Sequence, residues 1–418
     1  MKTKIMVIFL VFFIISSSML ISSVSACTGF IATDGEKILI GSNGDWCLGD
    51  YNIRFFPAED GKYGKFLSEI DWPFPWDKDY ESPGFGLNDQ GLYYDSFQAP
   101  YLKIKNTGKK LPIFLDEYYT WDIRSHCLSV CSTVQEVIEI YSKYNMRIVG
   151  LETGQHFWID RNGDSVIIEG DDIIYRQGDF QVVSNFLQSH PELPTGPTAI
   201  PRYEKTVSML ENMTSLSVDY FREILNATHL EKMDYVTMKS FIVDLNKGLI
   251  YMYNFHNYDD VIIFNLSEEL KKGKQEWINV PTMFEPIGNK APFTPNPPIG
   301  DTDGIVRKEY TFRVNETTDP DNDEDQIYYK LDWGDGTQSN WYNKYWYELD
   351  LMKHSWKRPG TYNIKVKAKD IYGNESDWSD PFTITIKLSK LTKLLFLGAI
   401  GITGIYILLR FLNQVSNQ

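Results

Sequence analysis

Val24-Ser25-Ala26-Cys27-Thr28-Gly29-Phe30, followed by Gly41-Ser42-Asn43-Gly44-Asp45-Trp46, is the stretch on which the reading of this chain turns. Upstream, Lys2 and Lys4 precede an uncharged run from Ile5 to Ile21 and then Ser22-Ser23-Val24-Ser25-Ala26. A basic start, an apolar run and small residues at its end form a secretory signal peptide over residues 1–26, cut before Cys27. An uncleaved anchor helix is the competing reading of the same run. Cleavage places a thiol and an α-amine on one residue. The amine, with an ordinary pKa of about 7.7–8.0, is a general base near neutral pH, and the thiol at about 8.5 is a nucleophile once deprotonated. The same Val24-Ser25-Ala26-Cys27 also fits a lipoprotein signal, in which diacylation of Cys27 would consume the sulfur.

Composition narrows the field. The chain has 418 residues, more than one ordinary domain holds, and 43% hydrophobic and 15% aromatic content suffices for packed cores. Lys and Arg number 41 against 56 Asp and Glu, a net charge of -15, which repels phosphate backbones and excludes nucleic acid as a partner. The four cysteines, Cys27, Cys47, Cys127 and Cys131, lack the spacing of a structural zinc site, and no cofactor motif is present. Cys127 and Cys131 share a face if helical and read as core. A disulfide between Cys27 and Cys47 is the weaker alternative to a reduced nucleophile. His126 and His156 have no partner motif and read as structural.

The organisation follows from pattern changes. Residues 27–284 mix strand-like runs (Lys37 to Ile40, Ser165 to Ile168, Val261 to Phe264) with helical ones. Thr133-Val134-Gln135-Glu136 is a capping box opening a helix through Tyr141, and Ser217 to Leu225 is a second helix. Pro286, Pro292, Pro295, Pro297 and Pro298 make residues 285–299 a stiff, extended linker. Over residues 300–387 the period becomes two: Tyr310, Phe312, Val314; Ile327, Tyr329, Leu331, Trp333; Tyr362, Ile364, Val366, Ala368; Phe382, Ile384, Ile386. Strands of that kind between turn signals predict a small antiparallel sandwich. Residues 391–412 contain the uncharged Leu394 to Leu409, and through Leu412 they give roughly 28 Å of helix, enough for one membrane span. Lys387, Lys390 and Lys393 on its outer flank run against the positive-inside bias, but export through the signal peptide fixes the topology. A chain with this anchor gains little from a second lipid one, which favours the free Cys27 thiol. The sequons at Asn212, Asn226, Asn265, Asn315 and Asn374 suit an exported surface.

Asp332-Trp333-Gly334-Asp335-Gly336-Thr337, His354-Ser355-Trp356 and Pro359-Gly360-Thr361-Tyr362 resemble the PKD family of immunoglobulin-like sandwiches. The resemblance implies a spacer or adhesion module with a cell-surface ligand, not a catalyst. Within it, Asp319, Asp321, Asp323 and Asp325 offer oxygens at alternating positions of a loop to calcium, against the commoner reading as a solvated acidic turn.

The N-terminal region resembles the choloylglycine hydrolase and penicillin V acylase group, linear-amide hydrolases of the N-terminal nucleophile class. The resemblance rests on Cys27 to Phe30 and Gly41 to Trp46. It is extended by Gly86-Leu87-Asn88-Asp89-Gln90-Gly91-Leu92, Trp158 to Glu169, Val182-Val183-Ser184-Asn185-Phe186 and Pro201-Arg202-Tyr203 in order. It implies an α+β fold of αββα layers and cleavage of small N-acyl amides. Cys27 would attack the carbonyl and its amine relay the proton. Asp45 would orient that amine, Asn185 would donate to the oxyanion, and Arg202 would lower the thiol pKa. Gln98 and Asn88 are further oxyanion or substrate candidates. Gln98 reads equally well as a polar strand end, and Asn88 as a left-handed turn residue. The family's Gly-Arg-Asn-x-Asp has Ser42 at the arginine, with Arg54 the one substitute in view. That departure favours the alternative of a surface or adhesion protein with a degenerate hydrolase domain.

Overall fold

The computed structural model describes residues 27–46, 51–70, 84–99, 123–143, 154–193, 196–232, 235–284, 288–321, 327–343 and 352–388. The expected signal peptide and membrane segment and Cys47 lie outside them. Among the described residues no helix is long and apolar enough to cross a membrane. The chain divides into two units after Phe284.

The first unit is mixed α+β. Its strands begin with β1 (Thr28–Thr33), β2 (Ile38–Trp46), β3 (Tyr51–Phe56), β4 (Lys65–Ile70), β5 (Phe85–Asn88) and β6 (Tyr93–Phe97). Helices α1 (Ile123–Val130) and α2 (Val134–Tyr141) follow, then β7 (Gln155–Ile159), β8 (Ser165–Glu169), β9 (Asp172–Tyr175) and β10 (Phe180–Ser184). Helices α3 (Ala199–Glu211) and α4 (Val218–Thr228) precede β11 (Glu231–Lys232), β12 (Tyr235–Asp244), β13 (Leu249–Asn254) and β14 (Ile262–Asn265). Helix α5 (Leu266–Lys271) and β15 (Ile278–Asn279) close the unit. One sheet runs β10-β1-β2-β12-β13-β14 with β11 beside β12; the other runs β15-β3-β4-β5-β6-β7-β8-β9.

Alternation along each strand decides what lies between the sheets and what lies outside them. Phe30, Ala32, Leu39, Val182 and Ile242 turn outward onto Leu210, Phe221, Ile224 and Leu225 of α3 and α4. In the other sheet Leu67, Tyr94, Trp158, Val166 and Ile168 turn outward onto Cys127, Leu128, Val134, Val137 and Tyr141 of α1 and α2. The inner faces meet through aromatic pairs, Phe85 with Phe241 at 4.0 Å and Phe55 with Phe264 at 5.5 Å between ring centroids. The layers therefore run helices, sheet, sheet, helices. Strands buried on both faces read as near-continuous apolar runs, which is the pattern of Ser165 to Ile168.

Local sequence rules act where expected. Thr133 caps α2, its side chain accepting from the Glu136 N–H while the Glu136 carboxylate takes the Thr133 N–H. Ser217 caps α4. Cys131 follows α1, and with Cys127 it lies in the core under this sheet. The His156 Nδ1 meets the Tyr141 hydroxyl at 2.6 Å, tying β7 to α2.

The second unit is a β-sandwich of β16 (Asp303–Ile305), β17 (Tyr310–Phe312), β18 (Tyr328–Asp332), β19 (Tyr342–Asn343), β20 (Met352–His354), β21 (Gly360–Lys369) and β22 (Phe382–Lys387). Its core is the period-two set: Tyr310, Phe312, Val314, Ile327, Tyr329, Leu331, Trp333, Ile364, Val366, Ala368, Ile384 and Ile386, joined by Met352 and Trp356. One detail departs from the antiparallel expectation, because β16 pairs with β22 in parallel. The two lie at opposite ends of the domain, so no tight hairpin constrains their direction. Phe293 and Ile299 of the proline-rich stretch donate their N–H groups to the Thr318 and Arg313 carbonyls, so this part of the stretch is paired along the sandwich.

Candidate active site

The edge where β1 begins gathers the residues that carry chemistry. Register explains how. Thr28 opposes Asn43 of β2 and Ser184 of β10, and Thr237 of β12 opposes Asp45. Odd residues of β2 face the helices: Asn43 donates to the Leu225 carbonyl at 3.0 Å and accepts from Ser240 at 2.6 Å. Asp45, on the same face, is buried, with its carboxylate taking an ion pair from Arg202 Nη1 and a hydrogen bond from the Thr237 hydroxyl. Burial pushes the Asp45 carboxyl up from its ordinary value, and Arg202, Thr237 and His229 pull it back.

Arg202 is set by the first turn of α3. Its Nη2 donates to the Cys27 carbonyl at 3.3 Å, a carbonyl that also accepts from the Ser184 hydroxyl at 3.1 Å. The Cys27 thiol meets the Asp45 main-chain carbonyl at 3.8 Å. Cys27, Asp45 and Arg202 thus form one linked cluster. Asn185 follows β10 and is fully buried; its Nδ2 donates to the main-chain carbonyl of Gln98 at 2.7 Å. The loop behind it is pinned by buried Glu169, whose carboxylate accepts the N–H groups of Gln188 and Ser189 at 2.9 Å and the Gln155 amide at 2.8 Å.

Other expected residues fall elsewhere or act differently. The main-chain carbonyl of Gln98 is the acceptor for Asn185. Asn88 gives both amide hydrogens to the Leu128 and Cys131 carbonyls and accepts from the Gln90 and Leu92 N–H groups, so it locks the β5–β6 turn onto α1. The left-handed residue of that turn is Gly91, at φ 83°, a conformation that costs glycine nothing. Arg54 donates to the Gln275 carbonyl at 2.8 Å and lies over the Phe56 and Trp277 rings, a packing role. In the sandwich, Asp319 accepts from the Asp321 N–H and Asp321 from the Lys290 N–H, while Asp323 and Asp325 lie outside the described residues. Among the described residues no group of three or more His, Cys, Asp or Glu could hold a metal ion.

The inner face holds what the sequence did not reveal. Ser42 donates to the buried Asp95 carboxylate at 2.6 Å, as does Tyr93 at 3.1 Å. Lys239 is buried on β12, donates to the Ser68 hydroxyl at 2.8 Å, and lies near the Tyr51, Phe85 and Phe241 rings at 5.1, 5.9 and 5.5 Å. Burial pushes the Asp95 carboxyl up to about 6 and the Lys239 ammonium down to about 8, while Asp95, Cys27 and Glu69 pull Lys239 back up. The one sequence signal for Lys239 is a lysine among the apolar residues of Val236 to Val243.

Known proteins are similar to parts of this chain. Residues 305–380 match the PKD domain family model. The PKD domain of an M14-like peptidase from a Thermoplasmatales archaeon is 32% identical, covering 24% of this chain and 98% of that one at a TM-score of 0.20. The C-terminal sandwich is a PKD domain. Two variants of conjugated bile acid hydrolase from Clostridium perfringens are similar to this chain at 17% identity. They cover 60% of it and 97% and 96% of their own chains, at TM-scores of 0.45 and 0.44. No curated protein matches the chain.

Proposed function

We propose that the first unit is a cysteine N-terminal-nucleophile hydrolase of linear carbon–nitrogen amide bonds in small N-acyl compounds. Removal of residues 1–26 frees the amine of Cys27. The thiolate attacks the amide carbonyl, the C–N bond breaks, the amine leaves with a proton relayed through the Cys27 α-amine, and water hydrolyses the thioester to the acid. Asn185 donates to the oxyanion, and Asp45 orients the α-amine. The observation that supports this best is the linkage of Cys27 to a buried ion pair, Asp45 with Arg202, directly behind the strand on which the thiol begins. A buried pair is costly to keep and contributes little net stability, so its position at this one edge is a functional sign.

The enzyme is exported and held at the cell surface by residues 391–412, with the PKD domain as spacer or ligand-binding module. The test is hydrolysis of a panel of N-acyl amides by mature protein and by Cys27→Ser. The expected result is turnover by the first and none by the second, with equal melting temperatures. Turnover by Cys27→Ser would remove the mechanism.

A further inference from the structure

Ser42 leaves the thiol without the neighbouring arginine that the N-terminal motif led one to expect, yet a buried cation stands on another strand of the same sheet. Continuing the β1–β2 ladder by one residue from Thr28↔Asn43 sets Cys27 opposite Gly44, and Gly44 is opposite Lys239 on β12. The three residues form a row across adjacent strands. Paired residues share a face of a sheet, and Ser42 and Phe241, another pair in this register, both point between the sheets. Gly44 is the empty middle of that row. A Cβ there would stand 3.0 Å from Lys239 Cγ and 3.2 Å from its Cε, so the lysine stem lies across the glycine. The ammonium donates to the Ser68 hydroxyl of β4 and lies 5.1 Å from the Tyr51 ring of β3, and the charged groups that act on it are Asp95 from β6, Cys27 ahead of β1 and Glu69 from β4.

We propose that Lys239, reaching across Gly44, is the positioning cation that stabilises the Cys27 thiolate, with Asp95 held by Ser42 and Tyr93 as its counter-charge. The inference rests on the hydrolase reading for its purpose but concerns the ionisation of one sulfur, which is measurable without a substrate. A cation in a low-dielectric pocket favours the thiolate over the thiol, and each pKa unit corresponds to tenfold in thiolate fraction below the midpoint. Arg202 serves the opposite face of the same strand, where it is engaged with the Asp45 carboxylate and the Cys27 carbonyl. The two cations therefore divide the work, one aligning the backbone and the other acting on the sulfur.

The test is the pH dependence of Cys27 alkylation by iodoacetamide in mature full-length protein, read from the mass of the Cys27 peptide. Lys239→Met keeps the stem and removes the charge. The alkylation midpoint is expected to rise by about one pH unit or more, so that labelling at pH 7 slows about tenfold. An unchanged midpoint in a variant with wild-type circular dichroism would overturn the proposal. Should Lys239→Met fail to fold, Lys239→Gln removes the charge and keeps a polar partner for the Ser68 hydroxyl. An upward shift of the midpoint supports the proposal, and an unshifted one refutes it. Wild-type turnover of amides with an unmoved midpoint in both variants removes Lys239 and leaves the hydrolase. A shifted midpoint with no amide turned over by wild type removes the hydrolase and leaves Lys239.

Discussion

The core of the PKD sandwich is an alternation of apolar side chains around Trp356, whereas the N-terminal unit buries Asp45, Arg202, Asn43, Asp95 and Lys239 behind and between its sheets. Both are β-rich and well packed, so the contrast is not one of architecture. Burying a charge costs several kcal/mol unless a partner is supplied. The apolar cluster of the sandwich avoids that cost, while the N-terminal unit accepts it in several places, among them the edge beside Cys27 where Asp45 is paired with Arg202. Buried charge also occurs at Lys65, Asp160 and Asp244 and, in the sandwich unit, at Asp370, so what marks the candidate site is a buried ion pair joined to Cys27.

The contrast can be broken with two substitutions of similar energetic size. Arg202→Met leaves the Asp45 carboxylate buried without its ion-pair partner and is expected to cost about 3–5 kcal/mol and to abolish amide hydrolysis. Trp356→Ala opens the sandwich core and is also expected to cost about 3–5 kcal/mol, yet to leave the Cys27 chemistry untouched. Thermal melts with assays of both variants check the pair; loss of hydrolysis in folded Trp356→Ala would show that the units do not act separately. Next in size is Asn185→Ala, for which an oxyanion donor predicts a fall in kcat of about 10²–10³, together with a loss of about 1–3 kcal/mol of stability from the missing hydrogen bond to the Gln98 carbonyl. Steady-state kinetics decide it, and a tenfold rise in KM alone would assign Asn185 to binding.

The pH dependence of stability is a smaller effect with a defined sign. Asp95, raised to about 6, holds its proton in the native state at pH values where the unfolded chain has lost it, so its contribution is lost as pH rises through about 6. Lys239, lowered to about 8 from 10.5, binds fewer protons when folded, so stability is gained as pH rises between those values and lost as pH falls through about 8. Melting curves of the wild type are expected to show the gain above pH 8, and Lys239→Met to lack it. Smallest of all, Thr133→Ala removes the cap of α2 and is expected to cost about 1 kcal/mol by denaturant titration, with hydrolysis unchanged.

The sandwich was nearly readable from its sequence because burial there follows a period of two, and every residue of that pattern lies in or against the core. The capping box of α2 and the helix begun by Ser217 were readable for a similar reason, since both depend on neighbours a few residues apart. Lys239 was not, because its meaning depends on Gly44 leaving room across a ladder that joins residues far apart in the chain. Gln98 and Asn88 were candidates through the resemblance, and an amide is as useful for fixing a turn as for holding a substrate. Only the hydrogen bonds of Asn88 to the end of α1 distinguish the two. The parallel pairing of β16 with β22 had no local signal, as it joins the two ends of the domain.

The central claim is that Cys27 is a free N-terminal nucleophile, and the mass of the N-terminal peptide of the mature, membrane-expressed protein tests it most directly, before and after a thiol-directed reagent. The account predicts an unmodified peptide that begins at Cys27 and gains a single label. A lipid adduct on that cysteine, or a peptide that begins elsewhere, would contradict it.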